Sequence, residues 1–180
     1  MKKALSLKAF LSVHRDSTVD VIATTVAPAF LLLNVIPDPD DEDVGVNFAT
    51  DIMGETHVIR EGMLDTLVCP LKSKTPGRER MRVSVGRSPG SDLVLSHASV
   101  SKLHAYLDID LHGNGHQVED AGSANGVVIN GMRLDSRAKV AISVGSLMKI
   151  ADVYQGTFHT AASLLDFIRF TDRFTRGGDS

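Results

Sequence analysis

The sequence predicts a mainly β protein, a sandwich or barrel of many short strands with helical segments at both ends. Apolar and polar residues alternate in short runs, as where Ala105, Leu107, Ile109 and Leu111 are interleaved with Tyr106, Asp108 and Asp110, the period of a half-buried strand. Turn formers separate these runs, most clearly Asn130-Gly131 between Val127-Val128-Ile129 and Met132-Arg133-Leu134, the strongest short hairpin signal in the chain. The two ends instead space their apolar residues as helices do.

Composition narrows the class. A chain of 180 residues holds one domain with modest extensions. With 43% hydrophobic and 23% charged residues it is globular, neither wholly disordered nor a multi-span membrane protein. The net charge of −3 argues against bulk nucleic acid or an anionic membrane surface as partner, so any anion site must be local. The single cysteine, Cys69, cannot form an intramolecular disulfide, and a reducing cytoplasmic compartment is expected. Lys8 interrupts the apolar start, and His14, Arg15 and Asp16 stand where a signal peptide would need small residues. The apolar run 21–36 is broken by Thr24, Thr25, Pro28 and Asn34 and falls short of the roughly 20 residues of a membrane helix.

Ser6 can cap a helix over residues 7–13, and Asp16-Ser17-Thr18 a second through Val19, Ile22 and Ala23, which Pro28 ends. Residues 30–36 fit either a strand or a buried helical turn, because periodicity does not separate short apolar runs. Segment 37–43 holds five acids and two prolines, so repulsion and missing donors favour an extended linker. Strand-like runs at 63–71 and 80–85 flank the basic, turn-forming stretch 72–78 and read as a hairpin. On that reading the basic tip lies about 20 Å from Arg87, at about 3.3 Å per residue, too far to act with it. His112 and the two residues after it lead through Gly115 into a strand at 116–119, and further runs follow at 142–150 and 153–158. Thr160 can cap an amphipathic helix with Ala161, Leu164, Leu165 and Ile168 on one face. The expected organisation is a helical extension at 1–36, an acidic linker and lead-in at 37–62, a β domain at 63–158, a helix at 159–174 and a disordered tail at 175–180. The apolar residues of the flanks, Leu7, Phe10, Leu11, Ile22 and residues 30–33 with Leu164, Leu165 and Ile168, should pack as one layer on the sandwich, each contributing about 1.5–3 kcal/mol.

Polar and glycine residues cluster in three loops. Arg87 follows Gly86 at a strand end, where a planar five-donor fork can grip an anion; Ser101 and Lys102 precede His104; Ser123, Ala124, Asn125 and Gly126 form the third loop. Glycine there permits a left-handed backbone and asparagine offers both a donor and an acceptor, so the three loops suit an anion together with an extended peptide.

Gly86-Arg87, Ser101-x-x-His104, Ser123-x-Asn125-Gly126 and Asn130-Gly131, in this order and spacing, closely resemble the signature of the forkhead-associated (FHA) domain. The resemblance implies an FHA-type β-sandwich of about eleven strands in two sheets, here with N-terminal helices and a C-terminal amphipathic helix, that captures phosphothreonine in an extended peptide. By resemblance Arg87 and Ser101 bind phosphate oxygens, Lys102 adds charge, Asn125 holds the peptide main chain and Asn130 assists. Gly86, His104 and Gly126 are architectural, with His104 buttressing the loops from beneath. Three departures reduce the margin: Lys102 replaces a common arginine with a point charge, and Ala124 and Val127 stand where many members carry a hydroxyl. One lost charge-assisted hydrogen bond of about 1.5–3 kcal/mol would weaken binding by one to two orders of magnitude.

The implied protein is a phosphothreonine-binding adaptor in Ser/Thr-kinase signalling. It needs no cofactor or metal, has no catalytic residues, and its partner is a threonine-phosphorylated protein, not nucleic acid or membrane. The sequence does not set its oligomeric state. The alternatives are a phosphate-independent interaction module of the same fold and, remotely, a hydrolase using Ser101, His104 and Asp120, which lack a nucleophile-elbow pattern.

Overall fold

The computed structural model describes residues 5–36, 66–75, 77, 79–112 and 115–176, with side chains to residue 172. The acidic segment 37–43, the rest of the lead-in to 65 and the tail 177–180 lie outside the described residues.

In chain order the elements are β1 (Leu5–Ser6), α1 (Leu7–His14), α2 (Val19–Val21), a π turn (Ile22–Val26), β2 (Ala29–Val35), β3 (Leu67–Leu71), β4 (Arg80–Gly86), β5 (Leu93–Val94), β6 (Ala105–Asp110), β7 (His116–Asp120), β8 (Val127–Ile129), β9 (Met132–Arg133), β10 (Lys139–Ile142), β11 (Leu147–Ile150), β12 (Tyr154–Thr160) and α3 (Ala161–Arg176). The twelve strands form two sheets, one in the order β1-β3-β2-β12-β11-β8-β9 and the other β10-β7-β6-β4-β5. Pairing is antiparallel except for β4 with the two-residue β5. Between the sheets lies a core that includes Leu31, Leu33, Leu71, Val83, Leu107, Met148, Ile150 and Phe158.

Local chemistry sets most boundaries. The Ser6 hydroxyl accepts from Ala9 N–H and opens α1, and Thr18 does the same for Val21 N–H. Thr24 and Thr25 hydroxyls donate to the carbonyls of Asp20 and Val21 at 2.6 Å where the helix widens into its π turn. At α3, Thr160 Oγ1 accepts from Ser163 N–H while Ser163 Oγ accepts from Thr160 N–H, a reciprocal cap. The helix therefore spans 161–176, shifted two residues toward the C-terminus from the expected 159–174, because His159 and Thr160 still belong to β12. Asn130 (φ 50°) and Gly131 (φ 85°) make the expected two-residue turn between β8 and β9.

Two expectations are corrected. Residues 29–35 do not belong to a helical extension outside the sandwich: β2 pairs with β12 on one side and β3 on the other, inside the larger sheet. Its run reads apolar throughout because both faces are covered, Ala29, Leu31 and Leu33 by the central core and Phe30 and Leu32 by the helices. Nor do β3 and β4 form a hairpin, since β3 spends its hydrogen bonds on β1 and β2 while β4 pairs with β5 and β6 in the other sheet. The stretch 72–79 is a crossover between sheets.

Leu7, Phe10, Leu11, Ile22, Phe30, Leu164, Leu165 and Ile168 collect in one apolar layer on the outer face of the seven-stranded sheet. Phe10 and Phe30 meet edge to face with ring centroids 5.9 Å apart. Arg15 and Asp172 bridge α1 and α3 at 3.3 Å, but their exposure makes that pair a minor contributor. Cys69 is buried at the edge of the central core, where burial pushes its thiol up to about 12 and keeps it in the unreactive protonated form.

Candidate functional site

Three loops meet at the end of the sandwich where β4 stops. Gly86 closes β4, and a Cβ there would overlap the Lys102 carbonyl, so only glycine lets the second loop lie this close. Arg87 N–H then donates to the Ser101 carbonyl at 3.0 Å, and Ser88 N–H to the Lys102 carbonyl at 3.1 Å. These two bonds place the backbones of Arg87, Ser101 and Lys102 side by side.

His104 ties this pair of loops to the third. Its side chain is 0% exposed. Nδ1 accepts from Ser101 N–H at 3.1 Å and Nε2 lies 3.0 Å from the Gly126 carbonyl, which can only accept, so the imidazole is the neutral Nε2–H tautomer. His104 N–H donates to the Val85 carbonyl and its own carbonyl accepts from Ala121 N–H. The residue thus bonds β4 and both neighbouring loops, a buttress with no access to a ligand.

Asp120 organises the third loop. One carboxylate oxygen accepts from the N–H groups of Gly122 and Ser123, and the other from Ser123 Oγ at 2.7 Å. Ser123 Oγ in turn accepts from Gly126 N–H at 2.8 Å. Gly126 has φ 78°, and any side chain there would collide with the Arg133 guanidinium. Ser101 Oγ accepts from Ala124 N–H at 3.0 Å, linking loops two and three. Asn125 Nδ2 donates to the Ser99 carbonyl at 2.7 Å, and among the described residues its Oδ1 makes no hydrogen bond.

Arg87, Ser101, Lys102, Ala124 and Asn125 are therefore brought together, with Gly86, His104 and Gly126 behind them. Asn130 is not: its Oδ1 accepts from Leu147 N–H at 2.8 Å, and its own N–H donates to the Leu147 carbonyl. It fixes the β8–β9 turn to β11. Ser101, His104 and Asp120 do not form a hydrolytic relay, since the imidazole meets the Ser101 main chain instead of its hydroxyl and Asp120 is committed to loop three.

The cations fall into two groups. Arg82 Nη1 lies 2.8 Å and Nη2 2.7 Å from carboxylates of Asp108 and Glu119, and Lys139 reaches Asp108 at 2.9 Å. Arg87 and Lys102, by contrast, have no carboxylate partner among the described residues.

Asp92 and Lys74 are functional scaffolding with no signal in the motif. Asp92 Oδ2 accepts from Ser84 N–H and its hydroxyl, and Oδ1 from Lys74 N–H at 2.9 Å. Burial pushes this carboxyl up, but those donors and the Lys74 charge outweigh it and hold it below the ordinary carboxylate value. Lys74 Nζ donates to the carbonyls of Gly90 and Ser91 at 2.8 and 2.9 Å. Lys74, from the basic stretch, is thus not remote from the Arg87 loop: its ammonium reaches the Gly90 and Ser91 carbonyls within that loop.

The family model for the FHA domain matches residues 83–151. Solved structures similar to this chain include Mycobacterium tuberculosis EmbR in complex with a low-affinity phosphopeptide, at 32% identity over 44% of this chain and 20% of that one, with a TM-score of 0.39. The FHA domain of the CT664 protein from Chlamydia trachomatis is 22% identical over 72% of this chain and 95% of its own, with a TM-score of 0.45. The N-terminal FHA domain of S. cerevisiae Rad53p, in complex with a phosphothreonine peptide, is 17% identical over 56% and 89%, with a TM-score of 0.45. This chain spans only about a fifth of the EmbR chain. What the order of the loop motifs implied is met by the family match: this chain carries an FHA domain, with residues 83–151 as the matched segment.

Proposed function

We propose that this protein is a non-enzymatic adaptor that binds threonine-phosphorylated proteins in Ser/Thr-kinase signalling in the cytoplasm. The observation that carries the reading is the pair Arg87 and Lys102, two cations without carboxylate partners among the described residues, on loops joined by main-chain hydrogen bonds. A phosphate of charge about −1.5 to −2 supplies what they lack. Ser101 Oγ accepts from Ala124 N–H, so its own hydrogen remains to donate to a phosphate oxygen. Asn125 Oδ1, on an amide anchored through its nitrogen, is an acceptor for a peptide main-chain N–H. A paired lattice of this kind is set before ligand arrives, which lowers the ordering cost of binding.

Ala124 favours the second reading, a phosphate-independent interaction module, because it is exposed in the third loop and supplies no hydroxyl, whereas Val127 is fully buried in the core and does not bear on ligand. Binding of a phosphothreonine peptide library, measured by fluorescence anisotropy against the unphosphorylated set, separates the two. The adaptor gives micromolar ligands, around −8 kcal/mol, that lose most of their affinity without the phosphate, and Arg87→Ala abolishes their binding with its melting temperature unchanged. Equal binding of both forms selects the second reading.

A further inference from the structure

A groove of about 490 Å³ opens beside the three loops, walled by Ser73, Thr75, Arg82, Ser84, Ser88, Asp92, Lys102 and Tyr106 among others. It shares Lys102 with the candidate phosphate site, and its other walls belong to β4, β6, the crossover, the far side of the Arg87 loop (Ser88 to Asp92) and Leu103. No role in the FHA signature falls to any of them apart from Lys102.

The groove is built, not incidental. Asp92 staples the crossover to β4 through Lys74 N–H and Ser84, and Lys74 Nζ caps the Gly90 and Ser91 carbonyls. The Arg82 guanidinium lies over the Tyr106 ring, 3.9 Å from its centre, and is paired with Asp108 and Glu119. The charges there do not cancel. Arg82 and Lys139 balance Asp108 and Glu119. That leaves Lys74 and Lys102 against Asp92, whose oxygens already accept three hydrogen bonds. Hydroxyls add donors: Ser73 Oγ accepts from Thr75 N–H and Ser88 Oγ from Gly90 N–H, so each has its hydrogen to offer.

We infer that this groove is a second, anion-selective subsite, taking an acidic side chain, a carboxylate or a second phosphate, carried by the same peptide that places its phosphothreonine on Arg87 and Ser101. The inference rests on the phosphopeptide reading above and deepens it, by naming the class of phosphopeptide preferred. Lys102, on the wall common to both sites, makes them continuous.

The test uses the full chain and a phosphothreonine peptide with alanine at every flanking position, into which one aspartate, or one further phosphothreonine, is placed at each position in turn. The expected result is a gain of about tenfold in affinity at one position or two adjacent ones, a span set by the size of the groove. The aspartate and phosphothreonine arms tell a carboxylate ligand from a second phosphate. Thr75 is exposed and its hydroxyl makes no hydrogen bond among the described residues, so Thr75→Glu adds a repelling charge at little cost to the fold. It should remove the acidic gain while leaving the alanine-flanked phosphopeptide within about twofold, and Thr75→Lys should enlarge the gain. The subsite is overturned if no position responds to acid, or if the gain survives Thr75→Glu in a variant with a normal melt. Failure of the phosphopeptide reading looks different, because the alanine-flanked peptide would then bind equally with and without its phosphate.

Discussion

The two outer regions of this sandwich are held by opposite means. Behind the seven-stranded sheet, α1, the π turn and α3 are fixed by apolar burial, with Phe10, Ile22, Phe30, Leu164 and Leu165 almost fully removed from water. At the end of the sandwich where β4 stops, the second loop is anchored in the core by Leu95 and Val100, but the three loops are held to one another by hydrogen bonds radiating from the buried His104 and Asp120. Apolar burial is non-directional and tolerates small shifts, whereas hydrogen bonds fix distance and angle. A surface that must present a guanidinium, a hydroxyl and an amide in register needs the second kind of support. The helical layer needs only to exclude water.

The largest expected effect lies on the apolar side. Phe30→Ala should cost about 3–5 kcal/mol, because Phe30 is 0% exposed and sits between Phe10 and the α3 stripe. Chemical denaturation measures it, and the fraction still folded should bind phosphopeptide as the parent does. A change in affinity as large as the change in stability would mean that the two regions are coupled through β2.

His104→Ala comes next and should strike both properties. It strands the Ser101 N–H and the Gly126 carbonyl, at about 1–3 kcal/mol for each buried group left unpaired. Because those groups belong to two different loops, phosphopeptide affinity should fall too, read by calorimetry on the folded variant. A normal melt would show that the loops hold one another without the imidazole.

The smallest effect concerns pH and belongs to the helical side. His159, between Thr157 and Ser163 hydroxyls at the start of α3, is held below its ordinary value of 6.5 by burial, and burial lowers His14 and His116 likewise. The folded chain therefore binds these protons less readily than the unfolded chain. Stability is full above 6.5 and declines as pH falls from there towards the depressed folded values. Melting temperature should drop between pH 7.5 and 5.5, by less in His159→Gln. A melting temperature that rose over that interval would reverse the assignment.

The turn chemistry and the alternation of strands were legible in the sequence because both depend on neighbours along the chain. Asn130-Gly131 forces the β8–β9 turn by its backbone preferences alone, and Gly86, Ser101, His104 and Gly126 lie at spacings that survive translation into loops. Thr160 with Ser163 similarly announces α3 within one helical turn. Asn130 shows the limit of this: the same residue that dictates the turn also spends its side chain on Leu147, and nothing nearby in sequence reveals that bond.

What only the tertiary structure decided was the choice of distant partners. The run at residues 30–33 is equally apolar whether strand or helix, and it becomes β2 because β3, β12 and the helical layer together cover both of its faces. Segment 72–79 has the composition of a hairpin turn, yet the strands it joins find better partners in separate sheets, and so it becomes a crossover that brings Lys74 to Asp92 and builds the groove. Hydrogen-bonding capacity and hydrophobicity are written into each residue, but an extended strand satisfies its edges with whichever strand the rest of the chain delivers.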